Sequence, residues 1–187
     1  MHNFNRNSYT YTPLFCEENI WKLIESFYTS KLATPIDVLF IINPSNTVAV
    51  FEQSLSVDGQ PMIWDYHVVL SACFKQQTVI FDFDSRCDFP AEINQYFAAT
   101  FPENRPVSNK FQALLKAIPA NLYLQGFSSD RKHMAGVIAE KEFPNYNIIQ
   151  AANTAQTFSL QKCIDINDQT PDTHLFTVKE YLLSISP

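Results

Sequence analysis

From Glu17 to about Thr29, apolar residues recur at Ile20, Leu23, Ile24 and Phe27, the spacing of one helix face. Glu17 and Glu18 stand in the first turn, where the positive end of the helix dipole favours acids. Two β-rich runs follow, "IDVLFII" and "TVAVFEQ", separated by the turn signal "NPSN". After the loop-like "SVDGQP", the runs "MIWDYHVVLSACF" and "QTVIFDFD" predict the strongest strand pair. A short polar link around Lys75 and Gln76 makes it an antiparallel hairpin. Beyond Pro90 the pattern turns helical, in "PAEINQYFAATF" and again in "SNKFQALLKAI". "NLYLQGFSSDRKHM" reads as a short extended segment running into a polar loop, "TFSLQKCIDI" as one more strand and "TVKEYLLSI" as a closing helix. A helix, a run of mostly antiparallel strands and further helices predict an α+β fold, with a single domain over residues 1–187.

Composition narrows the function classes. A hydrophobic share of 46% with 14% aromatics belongs to a chain that buries a core, not to a disordered one. The 13 basic against 19 acidic residues give a net charge of −6 with no basic run, which supports neither nucleic-acid nor anionic-membrane binding. "MHNFNRNSYTYTP" lacks the apolar core of a signal peptide, and runs such as "VLFII" are far too short for a membrane span. Cys16, Cys73, Cys87 and Cys163 form no CxxC pair, so reduced thiols in a cytoplasm are expected and no zinc knuckle is indicated. Only 3 glycines occur, against about 13 at average usage, and no Walker A or GxGxxG loop is present. No cofactor or metal is expected.

Chemistry concentrates in three places. "LFCEENIWKL" sets Cys16 at a helix start, where the dipole favours thiolate while Glu17 and Glu18 oppose it. In "IWDYHVVL", strand alternation puts Asp65 and His67 on one face and Trp64 and Tyr66 on the other. In "VIFDFD", Asp82 and Asp84 alternate with phenylalanines, a costly placement unless the acids are paired. With the hairpin turning at Phe74 and Lys75, His67 would lie directly across from Asp82. Cys, His and Asp in that order, the Cys on a helix N-terminus and the others on adjacent strands, is the layout of papain-like thiol chemistry. Taken singly, a helix-start cysteine or a strand histidine is more often structural than catalytic. His2, His133 and His174 have no matching carboxylate–cysteine context in the sequence.

The blocks "CEENIWKL", "WDYHVVL", "FDFD" and "FSSDRKHM" resemble the signature blocks of the protein N-terminal glutamine amidohydrolases, over about Tyr11 to Met134. That resemblance implies a papain-like or transglutaminase-like fold and a triad of Cys16, His67 and Asp82. It also implies a monomeric cytoplasmic enzyme that deamidates N-terminal glutamine of proteins or peptides to glutamate and, in eukaryotes, feeds the N-degron pathway. In the corresponding mechanism Cys16 attacks the side-chain amide, backbone N–H groups at the start of its helix hold the oxyanion, and His67 protonates departing ammonia. The substrate ammonium needs a carboxylate, for which Glu18, Asp65 and Asp130 are candidates, and Trp64 could wall the glutamine pocket. The rival expectations are a deamidase or transglutaminase acting on internal glutamines, and a catalytically silent binding protein of the same fold.

Overall fold

The structure, a computed structural model, describes residues 4–153 and 155–185; His2 lies outside them. The helix spaced from Glu17 forms as α1 (Cys16–Ser30), with Ile20, Leu23, Ile24 and Phe27 buried as the periodicity requires. Strands β1 (Thr34–Ile42), β2 (Val48–Val50), β3 (Met62–Trp64), β4 (His67–Phe74) and β5 (Gln77–Phe81) follow. Next come β6 (Ala91–Glu92), α2 (Ile93–Thr100), β7 (Leu114–Pro119), α3 (Ala120–Gly126) and β8 (Phe127–Ser128). The chain closes through β9 (Phe158–Ser159), α4 (Leu160–Ile164), β10 (His174–Phe176) and α5 (Val178–Ser184).

The main sheet has six strands in the order β10-β7-β1-β4-β5-β6, and every pair is antiparallel. The α+β architecture expected from the sequence is therefore present. Both faces of the sheet are covered, so its central strands are apolar on both sides. Val38, Phe40, Val68, Leu70 and Phe81 pack with Phe27 of α1 and Tyr123 of α3. Leu39, Ile41, Val69 and Ile80 pack with Tyr96 and Phe97 of α2 and Tyr181 of α5.

Four expectations are corrected. "MIWDYHVVLSACF" is not one strand: the chain bends at Asp65 and Tyr66, where the Asp65 carboxylate accepts the Tyr66 N–H at 3.1 Å, and β3 pairs with β2 instead. "SNKFQALLKAI" is a single 3-10 turn and then β7, because Leu115, Ala117 and Ile118 are buried in the sheet between β1 and β10. "NLYLQG" is helical, with Tyr123 buried beneath the sheet, rather than extended. "TFSLQKCIDI" pairs only through Phe158 and Ser159, after which the Ser159 hydroxyl caps α4 by accepting the Lys162 N–H. The closing helix forms as expected, begun by a Thr177–Glu180 capping box.

Candidate active site

The approach to α1 is held by Asn19, whose side chain accepts the Thr12 N–H and donates to the Thr12 carbonyl, both at 2.8 Å. This clamp, with Leu14 in the left-handed region (φ 68°), turns the chain so that Cys16 becomes the first helical residue. No side chain caps this N-terminus, which leaves backbone N–H groups of the first turn without helical partners. The Cys16 thiol sits 3.7 Å from Glu17 Oε2 and is hydrogen-bonded by the Val68 N–H. Burial, and then the Glu17 charge, push it well above the ordinary thiol range, so the opposition of Glu17 outweighs the helix dipole and the resting sulfur is the neutral thiol.

His67 opens β4, and its Nε2 lies 2.9 Å from Asp82 Oδ1, with both side chains buried. The hairpin does not turn where the sequence suggested. Lys75 and Gln76, both left-handed (φ 51° and 65°), form the two-residue turn, and Leu70 pairs with Phe81. The register is thus two residues away from the expected one, which preserves the faces. Asp82 reaches His67 from just past the end of β5 and is not its direct cross-strand partner. The Asp82 carboxylate also accepts from the Asp84 N–H, Gln53 Nε2 and Tyr96 OH. Burial would raise its pKa, but the His67 charge and these donors hold it down at about 2. Burial likewise opposes charging of His67, and the Asp82 carboxylate outweighs it, leaving the imidazole above its ordinary value. With Nε2 engaged, Nδ1 is the ring nitrogen left to exchange a proton.

Cys16 and His67 line one small cavity of about 70 Å³, together with Leu14, Trp64, Asp65, Tyr66, Asp84, His133 and Met134. A larger groove of about 430 Å³, walled by Phe51, Phe101, Phe111 and Val178, contains none of the candidate residues. The Trp64 ring stacks on His67 (centroids 5.6 Å, 16° between planes), which overturns the opposite-face assignment; the bend at Asp65 brings it round. Asp65 is at the cavity as expected. Two other candidates are not. Glu18 is fully buried and gripped by Arg131 through two contacts of 2.8 Å and by the Ser129 hydroxyl at 2.6 Å, so its carboxylate is committed within the fold. Asp130 is exposed, bonds Lys132 and does not line the cavity. His67, Asp82 and Asp84 bring ligand-type atoms within 4.8 Å of one another, but His67 Nε2 and Asp82 are already bonded to each other.

Sequence reasoning missed Gln53, Tyr96 and His133. Nothing local marks the first two. His133 lay within the quoted block "FSSDRKHM", but its carboxylate partner, Glu17, is 116 positions away and is met only in the fold.

A family profile described as N-terminal glutamine amidase matches residues 11–182. The chain belongs to that family. A protein N-terminal glutamine amidohydrolase of Danio rerio is 34% identical over 132 residues, covering 68% of this chain and 65% of that relative. Those of Bos taurus and Homo sapiens are each 33% identical over 133 residues, covering 69% of this chain and 64% of the relative. The chain thus matches slightly less than two thirds of the length of these amidohydrolases. The amidase profile reaches beyond Met134, where the resemblance read from the blocks stopped, and takes in α4, β10 and most of α5.

Proposed function

We propose that this chain acts as one domain over residues 1–187, a cytoplasmic monomer that hydrolyses the side-chain amide of N-terminal glutamine to glutamate and ammonia. Cys16, His67 and Asp82 are its catalytic triad. The observation that carries the proposal is the buried His67–Asp82 pair at 2.9 Å opening onto the same cavity as a cysteine at a helix N-terminus. The names of the relatives supply the substrate.

His67 Nδ1 takes the Cys16 proton as the sulfur attacks the amide carbon, so the neutral resting thiol ionises only when substrate is in place. The oxyanion is held by backbone N–H groups at the start of α1. Trp64 Nε1, buried without a hydrogen-bond partner in the wall of the cavity, is a further donor within reach of the site. His67 passes its proton to the amide nitrogen, the C–N bond breaks and ammonia leaves a thioester. Water then gives a proton to His67 and attacks; the C–S bond breaks and the sulfur regains its proton. Asp82 keeps Nε2–H donated and stabilises the imidazolium throughout. Glu18 is held by Arg131 and Ser129 and Asp130 does not line the cavity, which favours Asp65 and Asp84 for the substrate ammonium.

Hydroxylamine trapping tests the covalent step. Incubation with a glutamine-initiated peptide should yield the γ-hydroxamate, and Cys16→Ala should yield none. Hydroxamate formation by the alanine variant would remove Cys16 from the nucleophile role.

A further inference from the structure

A second imidazole–carboxylate pair touches the same sulfur. Glu17 is fully buried; its Oε2 accepts from Tyr66 OH at 3.2 Å and faces Cys16 Sγ at 3.7 Å. Its Oε1 lies 3.5 Å from His133 Nε2, and neither of those two buried atoms makes a hydrogen bond among the described residues. The His133 ring is edge-on to Phe15 and Tyr66, and its partly exposed side lines the cavity that holds Cys16 and His67. A carboxylate in contact with a nucleophilic thiol is an odd neighbour. Forming the thiolate beside an ionised Glu17 would set two anions 3.7 Å apart with Glu17 fully buried, where Coulomb repulsion is stronger than in water.

We propose that Glu17 and His133 together hold one proton that gates Cys16, so that the sulfur can be deprotonated only while that proton is present. They are positioning residues acting through the sulfur, and the proposal rests on the assignment of Cys16 as nucleophile. The proton sits on Glu17 or on His133 and escapes to solvent through the exposed side of the His133 ring. Once it has gone, Glu17 is an anion, Cys16 keeps its proton, and transfer to His67 is suppressed. Activity therefore falls as pH rises through the titration of the pair.

The surroundings fit a single titrating proton. Glu18, the next residue in the chain, is paired with Arg131, which tempers its charge. Tyr66 donates to the Glu17 carboxylate and Tyr123 to its backbone carbonyl, and burial keeps both hydroxyls protonated. Asp65 and Asp84 act on the sulfur and add to its resistance to ionisation. Burial, with a smaller push from Glu18, raises Glu17 to about 7, while burial lowers His133 against the opposing charges of Asp65, Glu18 and Asp130, so the shared proton is lost near neutrality.

The test is the pH dependence of Cys16 alkylation by iodoacetamide, resolved by site, beside the pH profile of kcat/KM on a glutamine-initiated peptide. Glu17→Gln keeps the shape and removes the titration. It should lower the alkylation midpoint by about one unit or more, ~10-fold more thiolate at a fixed alkaline pH, and abolish the alkaline limb of kcat/KM. His133→Gln removes one home for the proton and should move that limb the other way, to lower pH. Displacement in opposite directions is not what a merely structural role would produce, and the His133 variant stands if the buried Glu17 variant does not fold. Unchanged alkylation and kinetic midpoints in either folded variant would overturn the gate. Because alkylation needs no substrate, it reports on the gate even if glutamine peptides are not turned over.

Discussion

Asp82 accepts from His67, the Asp84 N–H, Gln53 and Tyr96, and its protonation disturbs all of them at once. Its folded pKa of about 2 lies below the ordinary carboxylate value of ~3.9. The stability it contributes is therefore complete above roughly pH 4 and is lost as pH falls towards 2. Asp82→Asn should lower kcat by up to ~10⁴ by favouring the wrong imidazole tautomer, and should flatten the acid limb of a stability-against-pH curve. An Asn variant with near-normal kcat would leave His67 without its orienting acid. Glu17 carries the opposite sign. Its folded value of about 7 lies above the ordinary ~4.3, so its burial destabilises the fold increasingly as pH rises between those values, by about 1.4 kcal/mol per unit. Glu17→Gln should accordingly raise the melting temperature at pH 8 and leave it nearly unchanged at pH 4. At this scale Cys16, His67 and Asp82 were legible because their residue types are out of place in an apolar strand or beside acids. His133 was not, since no local pattern reveals a partner 116 residues away.

The first turn of α1 is tied to the segment following β8 by the Arg131–Glu18 pair, which also receives Ser129. That link sets the start of α1, and so Cys16, against the loop that carries His133. Removing one member of a buried pair leaves the other charge unpaired, so Arg131→Met should destabilise by about 3–5 kcal/mol in urea unfolding. Loss of less than about 1 kcal/mol would mean that Glu18 finds water or another donor. Gly126 closes α3 where a Cβ would lie 2.5 Å from the Gln156 carbonyl oxygen and 2.7 Å from the Phe158 ring. Gly126→Ala should lower stability by roughly 1–3 kcal/mol through forced displacement of that backbone. Such close approaches explain which elements could be read in advance. α1 and α5 have apolar faces at helical spacing and acids in the first turn, and they formed where expected. "ALLKAI" fits both periods, and only burial between two neighbouring strands decides for β7, with Lys116 Nζ reaching the Lys162 and Asp165 carbonyls. "MIWDYHVV" alternates without a break on paper. The bend at Asp65 depends on a side-chain bond to the next backbone N–H, which alternation cannot express.

Across the whole molecule, the antiparallel sheet buried on both faces is what brings the site together. Cys16 packs with the residues on the α1 side of the sheet and Trp64 with those on the α2 side, and His67 begins the strand between them. The α+β class was legible because runs such as "VLFII" and "HVVLSA" are apolar on both sides, which requires covering layers on each face. The order of the strands was not, since pairing β1 with β4 and β7 depends on long-range packing. The cavity is lined by the sulfur, two imidazoles, His67 and His133, and two carboxylates, Asp65 and Asp84, and under the proposed function those carboxylates favour a chain terminus. A free α-ammonium should pair with exposed Asp65 or half-buried Asp84, a contact that an acetylated or internal glutamine cannot make. N-terminal asparagine, one methylene shorter, should present its carbonyl out of reach of Cys16 and react poorly. The most direct test is ammonia release from four peptides at equal concentration, bearing N-terminal Gln, acetyl-Gln, N-terminal Asn and an internal Gln. Rapid release from the free N-terminal glutamine peptide alone, absent in Cys16→Ala, is the predicted result; equal rates for the free and acetylated peptides would contradict it and point to an internal-glutamine deamidase.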